Sequence, residues 1–317
     1  MQTSIKKAGS TVFRKSAKRR NRAWTLMVSI PLIFLVIFKY IPMAGIIIAF
    51  KKYRFSDGIF GSKWVGFDNF KVFLRSHDLW VLLRNTIGYN LLFIISSLIA
   101  ALIIAILLYE LRSRIATKIY QTIMITPHFV SIIIVGYIAY VFLNPSGGVI
   151  NSVLQTIGLQ PVEWYSETKV WPFILSFVNI WKGVGLSSVI YYAALMGIDG
   201  SIFEAAEIDG ANKRQKYHYV LIPCLLPTIV IMLVLNMGSI LSGDFGLFYY
   251  ITRDVGALRQ ATDIINTYTM RLFRGNDVNV NYSLSTAISL IQSLVGMLLV
   301  LATNRLSKII DKDLGLF

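Results

Sequence analysis

Residues Asn85–Tyr109 read NTIGYNLLFIISSLIAALIIAILLY, a run that contains no charged side chain. About 20 mostly apolar residues in a helix are enough to cross the hydrocarbon core of a bilayer, so this run predicts a membrane-spanning helix. The whole chain has the same character, since 55% of its 317 residues are hydrophobic, 15% are charged and the mean hydropathy is +0.62. A soluble domain carries about 25% charged residues. The composition therefore argues against a soluble enzyme and excludes a disordered chain.

Five further stretches meet the same criterion. The six predicted spans are, in chain order, about Trp24–Phe50, Asn85–Tyr109, Ile119–Leu143, Val170–Leu195, Leu221–Ser242 and Leu284–Thr303. None alternates with a period of two, so a transmembrane β-barrel is not expected. The first stretch is longer than the apolar core of a signal peptide and is predicted to be retained, with a kink near Pro42. We therefore expect an all-α polytopic protein of the plasma membrane.

The distribution of charge predicts the orientation. With both termini in the cytoplasm, the inner segments 1–23, 110–118, 198–220 and 304–317 carry 17 of the 31 Lys and Arg residues. The positive-inside rule favours that arrangement. The net charge of +15 is then mainly a topology signal, and the acid-free tail at residues 1–23 is expected to bind the anionic leaflet rather than nucleic acid. Cys224 is the single cysteine, so no internal disulfide is possible.

The inner loop at about residues 198–222 has a pattern of its own. Ser201 followed three residues later by a glutamate has the form of a capping box and predicts the start of a helix. The alanines of Glu204–Ala206 favour that helix, and Gly210 predicts its end. Pro223 predicts the start of the fifth span. Such a short surface helix suits docking into a cleft of another protein, although an amphipathic connector would have the same pattern.

A resemblance decides between these two interpretations. Glu204-Ala205-Ala206, Gly210 four residues later and Val220-Leu221-Ile222-Pro223 resemble the EAA loop of binding-protein-dependent ABC importer permeases. Asp209-Gly210-Ala211 and Pro227 match its common extension, and Ile222 stands where leucine is more usual. Further segments resemble carbohydrate permeases related to the maltose importer, so that the likeness covers about residues 24–312; they are Trp64–Phe70, Arg84–Thr86, Trp181–Gly185, Asn304–Leu306 and Lys308.

The resemblance implies a type I ABC importer permease fold. Its expected parts are a basic cytoplasmic tail (1–23), the first span with an outer loop (24–83), the permease domain (84–304) and a second cytoplasmic tail (305–317). It also implies that the EAA loop is a coupling helix that fits a cleft of a separate ATPase. The implied contact residues are Ser201, Glu204, Ala205, Ala206, Asp209, Gly210 and Pro223.

The resemblance implies several partners and no chemistry in this chain. The partners are a second homologous permease subunit, expected to form a heterodimer, two ATPase subunits that hold ATP and Mg, and an extracellular protein that delivers an oligosaccharide. The chain itself has no phosphate-binding G-x-x-x-x-G-K-[ST] loop, and its three histidines form no metal motif. We therefore expect no catalytic residue, no metal site and no cofactor bound by this chain.

Polar side chains inside the later spans are candidates for the path of a sugar, because they are costly in lipid and tend to face a cavity. Hydroxyl, amide and indole groups suit the hydroxyl edges and apolar faces of sugars. Hydrogen bonds between helices are the alternative for each residue, and a buried ion pair is the alternative for the lysine. The candidates are Asn179, Trp181, Lys182, Asn236, Ser239, Asp244, Ser285, Ser289 and Gln292.

The sequence thus predicts the permease subunit of an ATP-driven carbohydrate importer. A permease for another solute, an ion-coupled secondary transporter, and a membrane scaffold or channel are the alternatives. A secondary transporter typically needs acidic residues within the membrane, and the central parts of the six spans contain none. A scaffold or channel would not need the coupling loop.

Overall fold

The computed structural model describes residues 24–274 and 280–310, and the predicted tail at residues 1–23 lies outside them. A short antiparallel hairpin pairs β1 (Lys51–Lys52) with β2 (Lys63–Trp64). The helices are α1 (Trp24–Phe50), α2 (Gly58–Gly61), α3 (Asp68–Leu74), α4 (Leu79–Glu110), α5 (Arg114–Phe129), α6 (Ile132–Leu143), α7 (Val149–Thr156), α8 (Trp171–Met196), α9 (Gly200–Ile208), α10 (Lys213–Met237), α11 (Arg259–Thr262), α12 (Ile265–Arg274) and α13 (Tyr282–Ile310).

Five of the predicted spans are single helices. In the described residues, α1, α4, α8, α10 and α13 are long and apolar enough to cross a membrane, and the bent pair of α5 and α6 makes a sixth crossing if it counts as one span. The predicted all-α fold is therefore confirmed, with five to six membrane-spanning helices. The helices extend beyond several predicted ends, because the polar turns that cap them lie outside the apolar core of each run.

The third predicted span is a broken helix rather than a continuous one. Helices α5 and α6 meet at an angle of 92°. Pro127 stands in the last turn of α5 and has no backbone N–H to continue the ladder. Val130 then leaves the helical region, with φ −70° and ψ 127°. The chain resumes as α6 after Ser131.

The first span changes its helix type around Pro42, where the sequence predicted a kink. A wide π-helical turn covers Val36–Tyr40, directly before the proline. It takes up the clash between the proline ring and the carbonyl four residues earlier. A tighter 3₁₀ section follows at Ala44–Phe50, and this section packs against α13.

The fifth span starts earlier than predicted, and Pro223 lies inside it. Asn212 caps α10 with a reciprocal capping box, in which Asn212 Oδ1 accepts from Gln215 N at 3.0 Å and Gln215 Oε1 accepts from Asn212 N at 2.8 Å. A π-helical turn at Tyr217–Leu221 precedes the proline. The wider turn accommodates a residue that would otherwise end a helix.

The bundle is organised around the long contact between α4 and α8. One cluster buries Ala101 and Ala105 of α4 against Tyr191 and Leu195 of α8, with Leu225 of α10 completing it. Helices in lipid associate through close packing, which small residues permit. Tyr191 of this cluster also lines a polar cavity between the same three helices.

The packing of α5 on α8 depends on one glycine. A Cβ added to Gly185 would lie 1.9 Å from the carbonyl oxygen of Met124, so only glycine allows this approach. This contact places the broken end of α5 next to the middle of α8.

Candidate functional site

Helix α9, the predicted coupling helix, has its N-cap two residues earlier than the sequence predicted. Asp199 is the N-cap, and its Oδ1 accepts from the backbone N–H of Ser201 at 3.0 Å. This hydrogen bond holds the pKa of the Asp199 carboxyl below its usual range. The predicted Ser201–Glu204 capping box is therefore wrong, since Ser201 already lies in the first turn of the helix.

The end of α9 agrees with the prediction for Gly210. That residue has φ +75°, a left-handed conformation that glycine adopts without a steric cost. Its N–H donates to Glu207 O at 3.0 Å, and the N–H of Ala211 donates to Ala206 O at 3.0 Å. Together these two bonds form a Schellman motif that satisfies the last carbonyls of the helix.

The two faces of α9 have different surroundings. Phe203 points inward, with its ring centroid 6.1 Å from that of Tyr109 at the end of α4, and Ala206 is half-buried. Glu204 and Ala205 are exposed, and Ile208 is 86% exposed. Among the described residues, no side chain bonds to the Glu204 carboxylate. The exposed face thus joins a free carboxylate, a small residue and an apolar side chain.

Two ion pairs made by the first residues of α10 join it to α4 and to α9. Lys213 Nζ lies 2.7 Å from Glu110 at the end of α4. Lys216 Nζ lies 2.5 Å from Glu207 on α9. Helix α9 is therefore tied to α10 by the second pair and meets α4 through the ring contact of Phe203 with Tyr109, while the first pair joins α10 to α4, so a displacement of α9 would be transmitted to both helices.

A polar cavity of about 330 Å³ lies between α4, α8, α10 and the segment that follows α10. Four of the predicted path residues, Asn179, Asn236, Ser239 and Asp244, line it. The lining adds polar residues that the sequence analysis missed, namely Asn90, Ser97, Ser187, Tyr191 and Ser242. No lysine or arginine is among the residues that line it, so the cavity offers mainly neutral hydroxyl and amide groups.

The polar groups of the cavity are already oriented by the protein. Asn179 Nδ2 donates to Ser97 Oγ at 3.1 Å, which joins α8 to α4. Asn90 Nδ2 donates to Ile240 O at 2.8 Å, which joins α4 to the end of α10. Asn90 and Ser97 stand seven residues apart on one helix face, a spacing that would have revealed them had the second span been searched for polar residues.

Lys182 lies at the break between α5 and α6 and does not line the cavity. Its Nζ donates to Val130 O at 2.5 Å and to His128 O at 2.9 Å, and it lies 3.5 Å from Pro127 O. The carbonyls of His128 and Val130 lie at the end of α5, where a positive charge is also favoured by the helix dipole, whereas Pro127 O also accepts from Val130 N at 3.2 Å. The alternative of an ion pair is not what the structure shows, since the lysine caps a broken helix.

Four other predicted path residues lie away from the cavity. Trp181 is 40% exposed and borders an apolar groove beside α6. Ser285 Oγ donates to Thr269 O, and Ser289 Oγ donates to Ser285 O within α13. Gln292 Nε2 donates to Leu241 O and to Asn266 Oδ1. The three polar residues of α13 therefore serve contacts within and between helices, which was the alternative interpretation for them.

Five to six membrane-spanning helices, an exposed surface helix at one end and a polar cavity within the bundle are the features of a membrane transport subunit. Residues 97–315 match the family described as "Binding-protein-dependent transport system inner membrane component", and the chain belongs to that family. It is thus a multi-pass component of the plasma membrane. The resemblance carried by the EAA loop is confirmed.

Similar proteins extend over nearly the whole chain. Protein LplB of Bacillus subtilis is 35% identical over 98% of this chain and 96% of its own length. The polygalacturonan/rhamnogalacturonan transport system permease protein YteP of the same organism is 30% identical, with 94% of each chain covered.

The fold also matches a solved transporter. A chain in the crystal structure of a bacterial alginate ABC transporter, in complex with an alginate pentasaccharide-bound periplasmic protein, gives a TM-score of 0.82 at 31% identity. The match covers 93% of this chain and 96% of that chain. The predicted type I ABC importer permease fold is therefore confirmed.

Proposed function

We propose that the chain is the permease subunit of an ATP-driven importer that moves an oligosaccharide across the plasma membrane. The observation that carries this proposal is the cavity between α4, α8 and α10, whose lining combines amide and hydroxyl groups with Phe93 and Tyr191. Sugars offer hydroxyl edges and apolar ring faces, so this combination suits them. Relatives with polysaccharide and oligosaccharide names support the same class of substrate.

The energy for transport comes, in this proposal, from two separate ATPase subunits that hold ATP and Mg. The exposed face of α9 would enter a cleft of one of them. Glu204 can accept a charge-assisted hydrogen bond from an arginine there, and Ala205 permits close approach. Ser201, Asp209 and Gly210 lie at the two ends of this helix, and Pro223 shapes the span that follows.

Two more partners complete the proposed assembly. A second homologous permease subunit would close the cavity, because Asn236, Ser239 and Asp244 are exposed in this chain alone. An extracellular binding protein would deliver the sugar to the end of the bundle opposite α9. With both termini in the cytoplasm, α9 lies on the ATPase side of the membrane.

Uptake by proteoliposomes that contain the assembled importer tests this function. Ser239→Ala removes a hydroxyl that lines the cavity and donates to Asn236 O at 3.0 Å. We expect it to lower oligosaccharide uptake by about fivefold, the loss of roughly one hydrogen bond, and to leave basal ATP hydrolysis unchanged. Ser289→Ala is the matched control, because Ser289 donates to its own helix at 3.0 Å but lies outside the cavity.

Two results would count against the proposal. If the wild-type importer hydrolysed ATP faster with its binding protein but took up no oligosaccharide, the substrate class would be wrong. Equal loss of uptake in Ser239→Ala and Ser289→Ala would show that the cavity is not the path.

A further inference from the structure

A second cleft lies between α6 and the segment that follows α10. It encloses about 290 Å³ and is lined by Ile133, Gly136, Tyr137, Tyr249, Tyr250 and Arg253. The backbone of Tyr250 approaches α6 so closely that a Cβ on Gly136 would lie 2.7 Å from its carbonyl oxygen. One arginine and three tyrosines therefore converge on a concave surface, which we name the tyrosine–arginine cleft.

The arginine of this cleft stands on a strained turn. Arg253 has φ +57° and Asp254 has φ +51°, so two consecutive residues other than glycine adopt the left-handed conformation. The strain is compensated by Asp254, whose carboxylate lies 3.1 Å from Arg271 and 3.5 Å from Arg259. Backbone strain of this kind persists only where surrounding contacts enforce it, and it is concentrated at functional sites.

The charge of Arg253 lacks an acidic partner among residues 24–274 and 280–310. Its guanidinium carbon lies 3.9 Å above the ring centroid of Tyr140, a cation–π contact that fixes the side chain without neutralising it. Arg271 shows the contrast, since it pairs with both Asp254 and Asp263. A second guanidinium, that of Arg274, donates to Tyr249 Oη at 2.8 Å at the edge of the cleft.

Nearby ionisable groups leave this charge in place. Burial raises the pKa of Tyr165, beside Tyr140, to about 12, although Arg253 opposes that shift. Tyr165 is therefore neutral at physiological pH. Asp254, the acidic residue of the turn, forms ion pairs with Arg271 and Arg259 and not with Arg253.

The segment that follows α10 contributes residues to both the cavity and the cleft. Asp244 lines the cavity, and its Oδ1 accepts from Leu247 N at 3.1 Å at the start of the helical turns that carry Tyr249 and Tyr250. Arg253 follows nine residues after Asp244, on the order of 10 Å along a mainly helical segment. The cavity is thus lined by one acidic residue, Asp244, and by no lysine or arginine. The cleft is lined by aromatic rings and by Arg253, which has no acidic partner among the described residues.

From this juxtaposition we infer that the tyrosine–arginine cleft binds the carboxylate of a uronic acid unit while a neutral sugar unit of the same oligosaccharide occupies the cavity. Arginine binds carboxylates through a planar fork of donors, and tyrosine rings pack on sugar faces. The inference rests on the proposed function and names its substrate class as a mixed acidic and neutral oligosaccharide.

Binding to the assembled importer in nanodiscs, without the binding protein, tests the inference by calorimetry. The probes are a rhamnosyl–galacturonate disaccharide and its uncharged methyl ester. We expect the wild type to bind the acid more tightly than the ester, and Arg253→Gln to weaken the acid about tenfold, as for the loss of one charge-assisted hydrogen bond, with the ester unchanged. Arg253→Lys should retain part of the preference, because it keeps the charge.

Arg54→Gln is the matched control. Arg54 follows β1 at the same end of the bundle, is exposed and lies outside the cleft, so the same change of charge should alter neither affinity. Unchanged binding of the ester by Arg253→Gln also shows that this variant is folded.

Each contrary outcome has a distinct meaning. Equal affinity of the wild type for acid and ester, or an equal loss for both in Arg253→Gln, overturns the inference alone. The inference is also overturned if Arg253→Gln changes only the docking of the binding protein, because the cleft would then be a protein contact. If the wild type bound neither sugar, nor maltotriose, the proposed carbohydrate function would fail, and this inference with it.

Discussion

Helix α9 and the polar cavity both contact α4 and α10, but α9 is built from one stretch of sequence, whereas the cavity is built from several helices. Helix α9 is one continuous segment whose contacts come from sequence neighbours and from the ends of α4 and α10, and its functional face is left exposed. The cavity draws single residues from α4, α8 and the end of α10, and it exists only where three helices separate. The comparison teaches that the proposed ATPase contact depends on local sequence, whereas the proposed substrate path depends on helix packing.

Replacement of Gly210 by proline would break the local region and is expected to have the largest effect. Proline fixes φ near −65°, whereas this position has φ +75°, and it removes the N–H that donates to Glu207 O. We expect the proline to destabilise the end of α9 by about 3 kcal/mol, which corresponds to roughly a 100-fold loss of binding-protein-stimulated ATP hydrolysis. Uptake and binding-protein-stimulated ATP hydrolysis by proteoliposomes measure it.

Gly200→Pro is the control for that experiment. Gly200 is the first residue of the same helix, where proline is tolerated, and a Cβ there would meet no atom within 4 Å. Normal stimulation in both variants would contradict the role of the α9 end in coupling. Loss of membrane insertion in Gly210→Pro would mean that the residue is needed for folding instead.

The same contrast explains what the sequence could predict. The EAA loop is contiguous, so the helix and its glycine end were predicted correctly. Its cap was assigned wrongly because Ser201 and Asp199 are both good caps, and the backbone path decides between them. The cavity was predicted only in part, since helical spacing identifies a face but not the neighbour that covers it.

Two residues show this limit. Ser289 and Ser239 both follow the spacing of a polar helix face, yet only Ser239 meets the open space between three helices. The partner of Lys182 could not be predicted at all. Its carbonyls become free only because α5 breaks near Pro127 and Gly185 lets that break approach α8.

Lys182→Met tests whether this lysine stabilises the contact of α5 with α8 or contacts the sugar. We expect its effect on uptake to be smaller than that of Gly210→Pro. The substitution would leave the half-buried Val130 O and the exposed His128 O without this donor, at a cost of about 1–3 kcal/mol in stability. We expect a lower thermal unfolding temperature in detergent, lower uptake and an unchanged apparent KM for the sugar. Lys39→Met, in α1, is the control, because it removes an exposed lysine from a span.

A changed KM with normal thermal stability would place Lys182 on the substrate path, together with the residues that line the cavity. Such a result would require the side chain to leave the carbonyls at the end of α5 during transport.

The smallest expected effect concerns the ion pair between Lys213 and Glu110, which joins the coupling region to α4. Lys213 is 70% exposed, and such surface pairs contribute about 0–1 kcal/mol. Each single charge reversal should lower stimulated ATP hydrolysis by about twofold, and the exchanged pair Glu110→Lys with Lys213→Glu should restore it. The exposed pair of Lys71 and Asp68 on α3, reversed in the same way, should have no effect. If the exchange failed to restore stimulation, the two regions would be coupled by the Phe203–Tyr109 ring contact and by Lys216 rather than by this charge.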